Sequence, residues 1–210
     1  MQLEEVIDII ENKLQYPLPG RKGQIVMAPQ PLNEARFAQQ DLKNARKGAV
    51  LILLYPGENG CMVPFIKRPE YDGTHSGQVS FPGGKWEESD QNLQETALRE
   101  TEEEIGVDRA QIQLLGKLSQ LFIPPSNFLV TPYIGFMRSV PVFKPDPREV
   151  ARVITCDFSV LVDHNIRKEK DFVLARGAKI KAPYFDIDQE TIWGATAMML
   201  GELMTIWEQK

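Results

Sequence analysis

The most constraining feature of this 210-residue sequence is a glycine-punctuated stretch that leads directly into a strongly acidic helix pattern. Glycines recur from Gly73 to Gly84, and glycine is used where the backbone must turn or approach another group closely. The next segment, KWEESDQNLQETALRETEEEIG, offers Ser89 and Asp90 as helix caps, and Gly106 is placed to end the helix. The pattern predicts a loop, a helix and a second turn in fixed order.

The acidic residues of this helix pattern share one face. At roughly 100° per residue, Glu100, Glu103 and Glu104 project within a sector of about 100°, whereas the apolar positions lie toward another side. Like charges at these spacings repel, so a cation bound among them would explain their presence. Carboxylates beside a glycine turn that can present a backbone carbonyl suit Mg²⁺ or Mn²⁺. A solvated acidic helix without any site is the alternative interpretation.

Charge and composition exclude several functional classes. The net charge is −5, and a broad basic face for nucleic acid is disfavoured because acidic residues crowd one segment, namely Glu87, Glu88, Asp90, Glu95, Glu100, Glu102, Glu103 and Glu104. No apolar run reaches the roughly 18 residues of a membrane span, and the N-terminus lacks the pattern of a secretory signal. Cys61 and Cys156 show no metal-type spacing, so we expect a reduced, cytoplasmic compartment.

Hydrophobic periodicity predicts several strands and about three helices. Residues 1–44 are expected to form an amphipathic helix and an irregular extension packed on the body, which is a domain over residues 45–210. The runs GAVLILLY and MVPFIKR predict a hairpin closed by PGENG. Further strands are predicted at 111–122, 128–137, 149–158, DFVLARG and around 183–187, and a final helix from Ile192 includes Gly194 as a tolerated interruption.

Taken together, the glycine turn and the acidic helix resemble the signature of the Nudix hydrolases. That signature has a glycine, a glutamate and then R-E-U-x-E-E-x-G-U, where U is apolar, and this chain supplies Gly84, Arg99, Glu100, Glu103, Glu104, Gly106 and Val107 at the matching positions. Three features depart from it: Thr101 occupies an apolar position, Asp90 replaces the first glutamate, and the interval from Asp90 to Arg99 is one residue longer.

The segment before the helix resembles a second motif, found in the coenzyme A diphosphatase branch of that family. The matching residues are Arg68, Gly77, Phe81, Pro82, Gly83 and Gly84, and SNFLVTPYIGF and IWGATA further along the chain also look like that branch. Gly73 occupies the position of a second arginine, which removes a bidentate phosphate contact. This difference leaves other pyrophosphate substrates open.

The resemblance implies an α/β fold, a Nudix-type α/β/α sandwich with a mixed sheet and a loop-helix-loop catalytic motif. It implies a metal-dependent hydrolase of a nucleoside diphosphate derivative, with coenzyme A or acyl-CoA cleaved to adenosine 3′,5′-bisphosphate and 4′-phosphopantetheine or its acyl derivative. ADP-ribose or another nucleotide is the alternative substrate, and a non-catalytic nucleotide-binding Nudix fold is a further alternative. A homodimer is plausible by family analogy.

The same resemblance assigns roles to individual residues. Glu100, Glu103 and Glu104 are the expected ligands of Mg²⁺ or Mn²⁺, with the Gly84 carbonyl as a further ligand, and Glu103 is a candidate general base. Arg99 is expected to orient or partly neutralise a carboxylate. The expected substrate-binding residues are Arg68, Gly77, Phe81, Gly83 and Phe128, although a strand-end arginine and core phenylalanines are the structural alternatives.

Overall fold

The computed structural model describes residues 1–31, 42–72, 75–173, 177 and 179–209. Its main helices are an N-terminal helix (Leu3–Lys13), an acidic helix (Leu93–Ile105) and a C-terminal helix (Gly194–Glu208), with short helices at Arg21–Gln24 and Phe158–Val162. Gly73, where the sequence departs from the coenzyme A motif, lies outside the described residues.

A mixed sheet forms the centre of the molecule. Its strands are β1 (Arg46–Pro56), β2 (Cys61–Lys67), β3 (Val79–Ser80), β4 (Gly83–Lys85), β5 (Gln113–Lys117), β6 (Leu121–Ile123), β7 (Phe128–Phe136) and β8 (Arg152–Asp157). β1 runs parallel to β7, from the pair Arg46 and Phe128 to the pair Leu54 and Phe136, and antiparallel to β2 and β4. β9 (Arg167–Val173), β10 (Lys179–Ile187) and β11 (Glu190–Trp193) form a separate antiparallel sheet.

The side chains of β1 show why the sheet lies between two helical layers. Successive strand residues point to opposite faces, and Leu51 and Leu53 pack with Ile105 of the acidic helix. Ile52 and Leu54 belong to the other apolar cluster, which includes the C-terminal helix. A strand buried on both faces reads as a continuous apolar run, which is what GAVLILLY is. The predicted α/β/α sandwich is confirmed.

Three predicted boundaries were wrong for local reasons. The single strand over 111–122 is two strands, because the pairing of β5 with β7 shifts at Leu114 and Gly116 and the chain then turns before β6. The strand predicted over 149–158 begins only at Arg152. Ile192 lies in β11, and Gly194 begins the C-terminal helix with φ of 64° rather than interrupting it.

The N-terminal segment, residues 1–31 of the described chain, packs on the body through its helix, and residues 32–41 of the predicted extension lie outside the described residues. Leu3, Val6, Ile7 and Ile10 belong to the apolar cluster that contains the C-terminal helix. No helix within the described ranges combines the length and the apolarity that crossing a bilayer demands.

A buried carboxylate adds polar contacts between the N-terminal segment and the C-terminal helix. Glu202 accepts hydrogen bonds from the Gly20 N–H at 3.1 Å, the Gln24 Nε2 at 2.9 Å and the Ser119 N–H at 3.3 Å. Three parts of the chain are therefore joined at one side chain.

Candidate active site

Local capping sets the ends of the acidic helix. Asn92, not the predicted Ser89 or Asp90, is the N-cap, and its side chain accepts from the Gln94 and Glu95 N–H groups. Gly106 ends the helix in the left-handed conformation, as predicted, with φ of 70°. Thr101, at the usually apolar position, is fully buried and donates from its hydroxyl to the Ala97 carbonyl oxygen at 2.7 Å, so its polar atom has a partner.

Arg99 stabilises the loop that precedes the acidic helix through hydrogen bonds to Asp90 and to the Lys85 backbone. Its Nε lies 2.8 Å from Asp90 Oδ1, its Nη2 lies 3.0 Å from Asp90 Oδ2, and its Nη2 also donates to the Lys85 carbonyl oxygen at 3.2 Å. The hydrogen bonds from Arg99 hold the pKa of Asp90 far below its usual range, although burial acts in the opposite direction. The longer interval in the sequence still brings these two side chains into a bidentate pair.

Three carboxylates converge beside this loop, and one of them was not identified in the sequence. Oxygen atoms of Glu100, Glu104 and Glu149 all lie within 4.8 Å of one another. Glu103 is not in this group: its side chain is 58% exposed and lies 3.0 Å from Arg99 Nη1. Its assignment as a ligand stays a prediction, whereas Arg99 does contact carboxylates of this face, at 3.1 Å for Glu100.

A short turn brings Glu149 to the acidic helix. The Asp146 N–H donates to the Glu104 carbonyl oxygen at 3.0 Å, and the Glu149 N–H donates back to the Asp146 carbonyl oxygen at 3.0 Å. On the other side, the Ala151 N–H donates to the Lys67 carbonyl oxygen at 2.8 Å. These bonds explain why the strand predicted from Glu149 starts later. Glu149 thus enters the site from a segment anchored at both ends.

Burial makes Glu104 the most perturbed carboxyl of the group. Its side chain is 1% exposed, and burial, with smaller contributions from Glu100 and Glu149, raises its pKa to about 8. The Gly83 N–H, which donates to Glu104 Oε2 at 2.8 Å, and Arg68, 3.7 Å from Oε1, act in the opposite direction. Burial also raises the pKa of Glu100. A divalent cation fits this all-oxygen donor set, because it would compensate charges that burial disfavours.

Two adjacent glycines allow the β4 backbone to lie close to the Glu100 carboxylate on one side and to β1 on the other. A Cβ on Gly84 would lie 2.4 Å from the Glu100 carboxyl carbon, and a Cβ on Gly83 would lie 2.3 Å from the Ala49 carbonyl oxygen. Gly83 also has φ of 144°, a conformation that side chains disfavour. The glycine pair therefore places backbone where any side chain would displace a carboxylate or a strand.

The carboxylates open into a cleft of about 360 Å³. Its charged lining residues include Arg68, Lys85 and the three carboxylates. Its apolar lining residues include Val50, Ile123, Phe128, Val130 and Met199.

The remaining predicted substrate-binding residues differ in how they relate to the cleft. Phe81 borders it but is fully buried and stacked on Phe65, with ring centroids 4.9 Å apart. Gly83 lines the cleft. Gly77 has φ of 64° and donates its N–H to the Pro69 carbonyl oxygen at 3.1 Å, so it shapes the neighbouring turn.

Comparison with known proteins identifies the family. Residues 45–177 match the NUDIX domain, which is more than half of the chain. The chain is 35% identical over 172 residues to Nudix hydrolase 22, chloroplastic, of Arabidopsis thaliana, covering 79% of this chain but only 56% of the plant protein. It is 32% identical over 163 residues to the uncharacterized Nudix hydrolase NudL of Yersinia enterocolitica, covering 76% of this chain and 80% of that protein.

A solved structure supports the fold. The MutT protein from Methanosarcina mazei Go1 matches with a TM-score of 0.50 and 17% identity, over 79% of this chain and 96% of that chain. The domain match and the NudL likeness together show that this chain belongs to the Nudix family.

Proposed function

We propose that this protein hydrolyses the pyrophosphate linkage of a nucleoside diphosphate derivative with the help of a divalent cation. The observation that carries the proposal is the convergence of Glu100, Glu104 and Glu149 in a cleft that also presents Arg68. Retained carboxylates also favour an enzyme over a non-catalytic nucleotide-binding protein, since binding alone does not require them. A solvated acidic helix does not explain why Glu104 is buried.

In this proposal Glu100, Glu104 and Glu149 hold Mg²⁺ or Mn²⁺. The donor set consists of oxygen atoms, which these ions prefer, and the Gly84 carbonyl remains a proposed further ligand. When bound, the cation would neutralise the diphosphate and activate the attacking water. Arg68 would bind a phosphate oxygen, because its guanidinium lines the cleft beside Glu104.

The general base is proposed to be one of two glutamates. Glu149 lines the cleft, so its carboxylate is available to accept a proton from water. Glu103 is ion-paired with Arg99, and its side chain would have to rotate away from that guanidinium to reach the cluster. The geometry favours Glu149, and the variants below compare the two directly.

Coenzyme A or an acyl-CoA is the proposed substrate. The apolar lining residues of the cleft, which include Phe128 and Met199, can accommodate a largely uncharged chain next to the diphosphate. ADP-ribose or another nucleotide remains the alternative, because Gly73 replaces an arginine of the coenzyme A motif. A cytoplasmic location and a homodimer complete the proposal; the two buried free cysteines are compatible with the first.

A substrate screen tests the proposal. Purified protein is incubated with Mg²⁺ or Mn²⁺ and with coenzyme A, ADP-ribose, NADH or diadenosine polyphosphates, and products are identified by mass. We expect adenosine 3′,5′-bisphosphate and 4′-phosphopantetheine from coenzyme A. Cleavage of another substrate alone would retain pyrophosphate hydrolysis and discard coenzyme A. Inactivity with every substrate would overturn the enzymatic proposal in favour of a nucleotide-binding protein.

Paired variants test the placement of the carboxylates. Glu149→Gln is expected to lower kcat by about 100-fold or more and to weaken Mn²⁺ binding, because it removes a negative charge from the cluster. Glu103→Gln keeps the three clustered carboxylates, so its Mn²⁺ affinity should change less. Turnover and calorimetric Mn²⁺ titrations are measured for both. Weaker binding for Glu103→Gln than for Glu149→Gln would restore Glu103 as the main ligand.

A further inference from the structure

Two cationic side chains share one face of the main sheet with Phe128, a residue that lines the cleft. Arg46 is the β1 partner of Phe128, and Gly48 is the β1 partner of Lys85. Residues directly opposite each other share a face of a sheet, and so do residues two apart on one strand. Arg46, Lys85 and Phe128 therefore share a face, and Lys85 and Phe128 line the cleft.

Gly48 leaves no side chain between these cations. A Cβ there would lie 2.7 Å from the Gly84 carbonyl oxygen and 3.3 Å from the Phe128 ring. Diagonal neighbours on antiparallel strands lie about 7–8 Å apart, a distance that long side chains can bridge. Arg46 and Lys85 can thus reach the same small anion.

The Arg46 guanidinium is held in place by contacts with Phe128 and Ser126. Its central carbon lies 4.2 Å from the centroid of the Phe128 ring, and its Nη2 donates to the Ser126 carbonyl oxygen. Arginine has five N–H donors, and within the described residues this is the one hydrogen bond that the Arg46 guanidinium donates. Among the residues placed by the structure, no carboxylate forms an ion pair with Arg46 or Lys85.

We propose that Arg46 and Lys85 bind a phosphate monoester on the nucleotide part of the substrate, separate from the pyrophosphate that is cleaved. The inference rests on the proposed function and narrows its substrate class to nucleoside diphosphate derivatives with a third phosphate. Arg68 already supplies a guanidinium beside the carboxylate cluster, so the two further cations on the face of Phe128 match charge beyond the diphosphate. A dianionic monoester also relieves the repulsion between them.

Calorimetric binding of two nucleotides tests the subsite without requiring turnover. Adenosine 3′,5′-bisphosphate and AMP differ by one phosphate monoester, and we expect the wild-type protein to bind the bisphosphate at least about tenfold more tightly. Lys85→Gln and Arg46→Gln should each reduce that preference severalfold. Lys47→Gln is the matched control, because Lys47 is adjacent to Arg46 on β1 but points to the opposite face.

The outcomes separate this inference from the proposed function. Equal wild-type affinity for the two nucleotides, or an equal loss of preference in Lys47→Gln, would overturn the subsite. A Lys85→Gln variant that loses affinity for both nucleotides alike would instead place Lys85 on the shared 5′-phosphate and also overturn it. Failure to cleave coenzyme A with the bisphosphate preference intact would reject the proposed substrate while leaving the subsite standing.

Discussion

Among individual residues, Glu104 links the burial of the site to the stability of the metal-free protein. It is 1% exposed, and its pKa of about 8 lies well above the ordinary 4.5 because burial disfavours the ionised form. Between those two values the folded protein binds more protons than the unfolded chain does. Its free energy of unfolding must therefore fall as pH rises through this range.

The metal-free protein should therefore become less stable as the pH rises. Thermal unfolding in EDTA should show the melting temperature of the wild type falling from pH 5 to pH 8 relative to that of Glu104→Gln, whose side chain does not titrate. Added Mg²⁺ should raise the wild-type melting temperature more at pH 8 than at pH 5, because a cation binds the ionised carboxylate. Parallel pH profiles for the two proteins without metal would contradict the assigned pKa.

Sequence patterns identified Glu100 and Glu104, whose relative position is set within one helix. They missed Glu149, whose position depends on a contact between distant parts of the chain. Glu100 and Glu104 are one helical turn apart, so their common face follows from helix geometry. Glu149 lies in a segment with three prolines nearby, Pro141, Pro145 and Pro147, and without helix or strand periodicity. Its position depends on the Asp146 hydrogen bond to the Glu104 backbone, which no local pattern encodes.

On the scale of secondary structure elements, β4 brings two glycines against two different neighbours. The Cβ of an alanine at position 84 would meet the end of the Glu100 side chain, which can move. The Cβ of an alanine at position 83 would meet the β1 backbone at Ala49 and Val50, which cannot move without disturbing the strand. Adjacent residues of one strand therefore have separable roles.

A pair of substitutions should separate those roles. Gly84→Ala is expected to change the free energy of unfolding by less than about 1 kcal/mol but to weaken Mn²⁺ binding about 10–100-fold, because it displaces Glu100. Gly83→Ala should destabilise the fold by at least about 2 kcal/mol, through backbone overlap and a disfavoured φ. Urea unfolding and Mn²⁺ titration measure both effects. Equal loss of stability in the two variants would show that Glu100 cannot move aside.

Helices and strands were predictable where the apolar residues followed one periodicity, either helical or alternating, along the whole segment. The N-terminal helix follows from its apolar spacing, and Leu3, Val6, Ile7 and Ile10 are buried, whereas Leu14, the last residue of that series, is the half-buried C-cap. The beginning of the C-terminal helix was wrong because Ile192 fits both the helical series and a strand, and pairing of β11 with β10 decides for the strand. The Asn92 cap was missed because three good capping residues, Ser89, Asp90 and Asn92, stand close together and Asp90 binds Arg99 instead.

For the whole molecule, Glu202 joins the N-terminal segment to the body. It is fully buried in the C-terminal helix and accepts from two backbone N–H groups and the Gln24 side chain. Removing its carboxylate would leave those donors without their partner, and buried unpaired donors are costly. The stability of this structure therefore depends on residues ahead of the matched NUDIX domain.

Glu202→Ala is accordingly expected to lower the free energy of unfolding by about 2–4 kcal/mol. Glu11→Ala, at an exposed position of the N-terminal helix, should change it by less than about 0.5 kcal/mol. Urea denaturation followed by tryptophan fluorescence gives both values. A loss for Glu202→Ala as small as that of the control would mean that the hydrogen bonds to Glu202 do not contribute to global stability.

The overall architecture was predictable because the motifs resemble those of a family with a known fold. The strand pattern alone would not have predicted it. The mixed sheet between helices agrees with that expectation. The small β9–β11 sheet did not follow from the sequence as a separate unit, since its pairing partners are decided by which strands find neighbours in three dimensions.

The attachment of the Asp146–Val150 turn to the last turn of the acidic helix also bears on how this fold tolerates changes in chain length. Lys144 and Asp146 donate backbone hydrogen bonds to Ile105 and Glu104, so the third carboxylate is positioned from the end of that helix. An extra residue between Lys85 and Asn92 would lengthen a loop that Arg99 can still hold through its bonds to Asp90 and to the Lys85 carbonyl oxygen. The interval from Asp90 to Arg99, one residue longer than in the family signature, already shows this tolerance. An inserted codon between Lys144 and Glu149 would carry the third carboxylate out of the cluster. Insertions should therefore be tolerated in the loop before the acidic helix but not in the turn that carries Glu149.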